Sequence, residues 1–224
     1  MSDKTFYYHM LSGSRLVMKM ARHAREQVYK MFLKEMSPTP QSMILDVGVS
    51  VTENERLEEN ILEKIYPYRN RITMLGIHDG AFLQEIYTGA KYVRYEGGST
   101  FPFSDNQFDI CYCNAVLEHV GEEKSQKEFV REILRVSRKV FLTTPNRAYP
   151  IDFHKMLPFL HWLPLAWYRK IIGLMGDTFY SKRENLNLLY KNDLHRLFQG
   201  QGVPFRIHTY KWLGLPAYLI VVAK

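Results

Sequence analysis

The chain has 224 residues, of which 46% are hydrophobic and 24% charged, and its formal net charge is +7. This length and composition are typical of one globular domain with a large core, and no apolar run approaches the roughly 20 residues of a membrane span. The polar start of the chain lacks the apolar core of a signal peptide, so we expect a cytoplasmic protein. Basic residues at 131–139 interleave with apolar ones at helical spacing, which favours a solvated helix face over nucleic-acid binding. A basic surface still favours an anionic substrate or an acidic membrane surface.

The first predicted element is a helix over residues 12–36, which ends before Pro38 and Pro40. Such a helix either covers the core or closes over a ligand, and the pattern leaves both readings open. The apolar residues that recur at helical spacing are Leu16, Met20, Ala24, Val28 and Phe32.

A buried strand is predicted over residues 43–47, which are apolar apart from Asp46. It ends at Gly48, where the chain must turn sharply. The carboxyl ends of strands in an open α/β sheet are where ligands bind, so we expect a site at this turn. Thr52 and Glu55 have the spacing of a capping box, which predicts a helix that runs to residue 65.

Further strands follow in alternation with helices. The second strand, 72–77, runs into His78 and Asp79, and an acid at this position binds a ribose diol in nucleotide-binding sheets. The remaining strands are predicted at 91–95, 110–114, 140–144, 205–210 and 218–223, with helices at 81–87 and 124–136.

The two cysteines, Cys111 and Cys113, lie two residues apart in the fourth strand, so both side chains point to one face. No second pair of cysteines exists to complete a zinc site, and we predict packing roles for both and no metal site. The alternation of strands and helices predicts an α/β fold with a doubly wound, mostly parallel sheet. The last two strands are close enough to form a hairpin, which brings one antiparallel strand into the sheet.

Residues 40–146 resemble class I S-adenosylmethionine-dependent methyltransferases, in particular the small-molecule (type 11) group that includes ubiquinone-biosynthesis enzymes. The most specific segment is Phe101-Pro102-Phe103, followed by Asn106-Gln107-Phe108-Asp109 and then by Leu117-Glu118-His119. The resemblance implies a Rossmann-like seven-stranded sheet and S-adenosylmethionine as the cofactor. It also implies a division into an N-terminal helical cover (1–40), a cofactor-binding core (41–146), a substrate-cover insertion (147–200) and a C-terminal hairpin (201–224).

The resemblance also assigns cofactor-binding residues by position. The turn after the first strand would hold the methionine part of the cofactor. The end of the second strand would bind its ribose, and the loop after the third strand would surround its adenine. The end of the fourth strand would lie beside the transferred methyl group. These residues are Asp46, Gly48, Ser50, His78, Asp79, Glu96, Gly97, Gly98, Asn114 and Ala115. The chain departs from the family at Ser50 and Thr52, which replace two glycines of the usual motif. This departure prompts an alternative hypothesis, a non-catalytic ligand-binding relative of the fold.

The aromatic and apolar segment 147–190 matches no part of the family core. It is either a packing element, the wall of a hydrophobic substrate pocket, or a surface for a membrane-bound lipid. We therefore predict methyl transfer to a small molecule, such as a sugar- or lipid-linked intermediate, with peripheral membrane contact left open. An oxygen acceptor needs a base near neutral pKa, for which His119 and His154 are the candidates, although each has a structural alternative. Arg147 and Lys155 are candidates for binding an acceptor phosphate or carboxylate, or are exposed to solvent.

Overall fold

A computed structural model describes residues 15–51, 60–98 and 100–224, with side chains from Arg22 onward. The predicted capping box at Thr52 and Glu55 lies outside the described residues. The helices are α1 (Arg15–Met36), α2 (Ile61–Ile65), α3 (Leu83–Ile86), α4 (Glu123–Val136), α5 (Leu165–Leu174) and α6 (Lys191–Phe198). Single 3-10 turns lie at Arg69–Arg71, Leu117–His119 and Leu160–Trp162.

Seven strands form one sheet in the order β3-β2-β1-β4-β5-β7-β6. The first five strands pair in parallel, and β7 is antiparallel to both β5 and β6. This arrangement confirms the predicted doubly wound sheet with an antiparallel C-terminal strand. The strands are β1 (Ile44–Val47), β2 (Ile72–Gly76), β3 (Lys91–Arg94), β4 (Phe108–Asn114), β5 (Ser137–Pro145), β6 (Phe205–Trp212) and β7 (Leu215–Ala223).

Strands β4 and β5 begin earlier than their apolar patterns indicate. Phe108 pairs with Ser137 in the parallel register, three residues before the apolar run of β5 begins. Arg138 is exposed on one face of this extension, so the strand is set by pairing with its neighbour and not by burial of every residue.

The two faces of the sheet bury separate apolar clusters. Cys111 and Cys113 belong to the cluster under α4 and α6, and both thiols are free and buried, which confirms their predicted packing role. Burial raises the pKa of each thiol well above its usual value. The opposite face packs under α1, where Tyr112 and Phe141 stack with their ring centroids 5.8 Å apart and Phe32 meets both edge-on.

Helix α1 buries Ala24, Val28, Phe32 and Met36 against the sheet, as the helical spacing predicts for this part of the helix. Among the described helices, none combines the length and the apolarity that crossing a membrane requires.

Candidate active site

A cavity of about 310 Å³ opens at the carboxyl ends of β1 and β4. Ala24, Arg25 and Val28 of α1 line one side of it, and Phe153, His154 and Tyr180 of the 147–190 segment line another. The cavity therefore lies where the sequence predicts a ligand site, between the sheet edge and two covering segments. It brings together six predicted site residues, Gly48, Ser50, Asn114, Ala115, His119 and His154.

Two residues, Gly48 and Asn60, hold the turn after β1 in its observed conformation. Gly48 has a φ of +86°, and a Cβ built there would lie 2.4 Å from Cγ2 of Val116, so this position requires glycine. Beyond it, the Asn60 side chain accepts a 2.9 Å hydrogen bond from the Ser50 N–H and donates a 2.8 Å bond to the Ser50 carbonyl. Asn60 thus holds the loop from the side, although no pattern in the sequence indicates this role.

Asp46, at the end of β1, is buried and faces Glu63 of α2 instead of lining the cavity. Burial raises the pKa of the Asp46 carboxyl well above its usual range, and the charge of Glu63 raises it further. Burial also raises the pKa of Glu63. Two buried carboxyl groups that face each other favour a form in which at least one of them is neutral.

The residues predicted to hold the ribose and adenine lie at the same edge of the sheet but outside this cavity. His78 and Asp79 follow β2, whereas Glu96, Gly97 and Gly98 follow β3, and all five are exposed. The Tyr92 hydroxyl donates a 2.6 Å hydrogen bond to the His78 carbonyl, which ties the two strand ends together. Their cofactor contacts stay predictions.

The end of β4 has a constrained backbone. Ala115 has a φ of +56°, a left-handed conformation that disfavours side chains, and its N–H donates a 3.0 Å bond to the Thr143 carbonyl. The Thr143 hydroxyl donates to Oδ1 of Asn114 at 2.5 Å. Both contacts fix the cavity floor through the neighbouring strand β5.

His119 and His154 face each other across the cavity wall, with their Nε2 atoms 3.3 Å apart and their rings edge to face. Nδ1 of His119 lies 2.8 Å from the Asn185 carbonyl, and Nδ1 of His154 lies 3.1 Å from Oδ1 of Asp152. The sequence predicted that both histidines belong to the site, and the structure adds that they touch.

A buried pair stands behind His154. Oδ2 of Asp152 accepts a 2.5 Å hydrogen bond from the Tyr168 hydroxyl. Burial alone would lower the pKa of His154, but its hydrogen bond and ion pair with Asp152 outweigh burial and raise the pKa. For Asp152 the signs are reversed: burial alone would raise the pKa of its carboxyl, but the hydrogen bond from His154 outweighs burial and the pKa is lowered. Asp152 therefore orients the imidazole.

Glu118, the middle residue of the Leu117-Glu118-His119 motif, also lines the cavity. Its side chain is fully buried, and its Oε2 accepts a 3.0 Å hydrogen bond from the Thr144 hydroxyl. Its Oε1 has no hydrogen-bond partner within the described residues. On the opposite wall, burial raises the pKa of Tyr218 to about 12, so that phenol stays neutral.

The two predicted anion-binding residues do not line this cavity. The Arg147 guanidinium donates to the carbonyls of His161 and Leu163, at 3.0 and 2.7 Å. Lys155 forms an ion pair with Asp177. Their roles in acceptor binding stay predictions, and in this structure both side chains connect parts of the 147–190 segment.

Comparisons with known proteins concern the sequence and the fold. The sequence model of the family described as "Methyltransferase domain" matches residues 71–140. A SAM-dependent methyltransferase from Aquifex aeolicus has 11% sequence identity and a TM-score of 0.55, and the alignment covers 87% of each chain. A methyltransferase from Methanosarcina mazei has 15% identity, with 84% of this chain and 94% of the other covered and a TM-score of 0.55. No curated protein sequence matches the chain.

A third similar structure is the magnesium protoporphyrin IX methyltransferase of Synechocystis, solved with bound SAM. It has 10% identity and a TM-score of 0.55, and the alignment covers 94% of this chain and 85% of the other. The low identities establish the fold alone. The domain match falls within residues 40–146 and contains the Phe101 to Asp109 segment, so the predicted resemblance is confirmed.

Proposed function

We propose that this chain, a SAM-dependent methyltransferase by its domain match and its fold, transfers a methyl group to an oxygen atom of a small-molecule acceptor. The observation that carries the proposal is that His119 and His154 share one cavity with Gly48, Asn114 and Ala115. This arrangement puts imidazole nitrogens beside the turn and the strand end to which the family resemblance assigns cofactor binding. The position of the imidazoles favours an acceptor that must lose a proton.

The cavity lining suits the methionine end of S-adenosylmethionine, which when bound supplies a methyl group on a sulfonium. Gly48 exposes main chain, and Ser50, Asn60 and Asn114 add polar groups along one wall. We propose that Gly48, Ser50 and Asn60 bind the amino-acid part and that Ala115 faces the methyl group. The exposed residues after β2 and β3, with Asp79 and Glu96 among them, would receive the ribose and adenine.

The chain's own residues then align the acceptor. Methyl transfer is an in-line displacement, so its rate depends on holding the acceptor oxygen opposite the sulfur. Phe153 and Tyr180 form an aromatic wall, and α1 keeps water from the other side with Ala24 and Val28. His119 or His154 accepts or directs the acceptor's proton at Nε2. These contacts support the proposed division into a cofactor-binding core and two covers.

We further propose that the acceptor carries a lipid-linked, sugar-linked or aromatic group. The segment 147–190 supports this proposal because it supplies aromatic walls to the cavity and leaves Phe159, Trp162 and Trp167 exposed nearby along the chain. Exposed aromatic residues of this size are typical of contact with an apolar ligand or a membrane surface. The buried free thiols of β4 suit a reducing compartment such as the cytoplasm.

The test is calorimetric titration of the full chain with S-adenosylmethionine and with its demethylated product. We expect both to bind, and we expect Asn60→Ala to weaken both because the loop at Ser50 loses two hydrogen bonds. Asn192→Ala, on an exposed face of α6, is the control and should bind normally.

Binding should be followed by transfer of labelled methyl to a panel of phenolic, glycosidic and isoprenoid acceptors. Failure of the folded protein to bind either ligand would refute the proposal and favour the non-catalytic relative.

A further inference from the structure

We infer that Glu118, His119 and His154 bind a divalent transition-metal ion in the wall of this cavity. Each side chain offers one ligand atom, and these atoms all lie within 4.8 Å of one another. The sequence predicted no metal site, since there is no second pair of cysteines to complete a zinc site. Glu118 and His154 lie far apart along the chain and were not considered together.

The hydrogen bonds of the two histidines fix where their lone pairs point. The Asn185 carbonyl can only accept, so Nδ1 of His119 carries a hydrogen atom and donates it. Ionised Asp152 likewise accepts from Nδ1 of His154. In their neutral forms, both imidazoles therefore carry bare lone pairs on Nε2, and these face each other across 3.3 Å. Such an arrangement is repulsive unless a proton or a cation lies between the two nitrogens.

The separation of the nitrogens suits a cation. Zinc–nitrogen bonds of about 2.0–2.1 Å at a tetrahedral angle place two nitrogens about 3.3 Å apart. The Nε2 atoms of His119 and His154 are already at that distance, and their rings are inclined at 79°. The separation of the two Nε2 atoms is therefore compatible with both imidazoles binding one ion.

Glu118 provides the third ligand and an independent indication of the site. Its side chain is fully buried, and Oε1 lies without a hydrogen-bond partner within the described part of the chain. A buried carboxylate oxygen without a partner is costly, and a cation would remove that cost. Thr144 holds the other oxygen, so the carboxylate is already oriented.

The surroundings of the two imidazoles are those of metal ligands. A ligand histidine usually donates its second N–H to a carboxylate or a main-chain carbonyl, and Asp152 and Asn185 occupy these positions here. Two imidazoles and one carboxylate favour zinc and other first-row transition ions over magnesium or calcium, which prefer oxygen ligands. Three protein ligands leave a coordination position for a molecule in the cavity.

The catalytic consequence, unlike the binding of the ion, rests on the proposed methyl transfer to oxygen. With the ion bound, both Nε2 atoms are ligands, and the ion takes over from them the activation of the acceptor oxygen. An acceptor hydroxyl bound at the open position would have a lower pKa and would lose its proton to water. The resulting oxygen forms a bond to the methyl carbon while the carbon–sulfur bond breaks, and the thioether leaves with the electron pair. The ion is neither oxidised nor reduced.

The experiment is calorimetric titration of chelator-treated full chain with zinc chloride, paired with the visible absorption of the protein loaded with Co²⁺. We expect one ion per chain. Glu118→Gln and His119→Ala should each weaken binding by more than about 100-fold, and Asp152→Asn by about 10- to 100-fold. His23→Ala, on the exposed face of α1, is the matched control and should bind as the wild type does.

Thermal unfolding confirms that each variant is folded, and Glu118→Gln keeps the side-chain volume if His119→Ala does not fold. Absence of stoichiometric binding by the folded wild type would overturn the inference and leave a shared proton between the imidazoles. Binding that survives both ligand substitutions would also overturn it. Titration with S-adenosylmethionine on the same samples separates the two proposals, because a wild type that binds the cofactor but no zinc refutes only the metal site.

Discussion

The turn at Gly48 allows a quantitative test of why this position is glycine. Gly48→Ala adds one methyl group at a φ of +86° and places it 2.4 Å from Cγ2 and 2.9 Å from Cγ1 of Val116. Two separate penalties follow, one from the backbone conformation and one from the overlap. They can be distinguished because only the overlap depends on Val116.

The left-handed conformation costs an alanine about 1–2 kcal/mol. Overpacking by one methyl group costs about 1–3 kcal/mol, so we expect Gly48→Ala to lower the free energy of unfolding by about 2–5 kcal/mol in all. Val116→Ala removes both Cγ atoms and leaves only a 3.2 Å contact with Cβ. In the double variant the overlap cost should therefore disappear, which gives a favourable coupling of about 1–3 kcal/mol.

The assay is urea unfolding of the wild type, both single variants and the double variant. Gly202→Ala is the control, since its φ is +78° and a Cβ there meets nothing within 4 Å. It should show the conformational cost alone. If the effects of Gly48→Ala and Val116→Ala simply add, the overlap argument is refuted.

Three further predictions concern the buried carboxyl groups, the left-handed backbone at Ala115 and the thiols of β4. The raised pKa of Asp46 means that its favourable contribution is fully present below its unfolded pKa and is lost as pH rises through its folded pKa. Asp46→Asn should therefore gain stability relative to the wild type as pH rises, and Glu63→Gln should show the same trend. Urea unfolding measured over a range of pH tests this, and a stability difference that does not change with pH would contradict it. Ala115→Gly should change stability by less than about 1 kcal/mol, because relief at a φ of +56° offsets the added chain entropy, whereas Ala217→Gly in β7 should lose about 1–2 kcal/mol. The two thiols of β4 should resist a thiol reagent in the native protein and react only after unfolding, and rapid modification of native protein would show that they are accessible.

The fold was predictable because its strands and helices have clear apolar patterns. Residues 44–47 of the first strand are buried, and so are Ile133 and Val136 of the helix at 124–136, although that helix also buries Glu132. Parallel pairing then brings the ends of β1 and β4 together. The polar start of β5 was not predictable, because Ser137 joins the sheet through pairing with Phe108.

The site was predictable to the extent that it lies at strand ends. Asn114 ends β4 and His119 follows it, so topology alone places them beside Gly48. Asn60 was missed because its role depends on the path of the loop at Ser50. Arg147 was a candidate for binding the acceptor or for exposure to solvent. Its guanidinium donates to two main-chain carbonyls, and no spacing in the sequence indicates these contacts.

The position of β7 between β5 and β6 affects how the sheet assembles. Because β7 follows both neighbours in the chain, β5 and β6 are synthesised before the strand that separates them exists. Until Leu215–Ala223 is inserted, each presents an unpaired edge that can bind another extended chain. The last strand in the chain therefore takes an interior place in the sheet. Nascent chains are vulnerable to self-association until nearly all of the described sequence has been made.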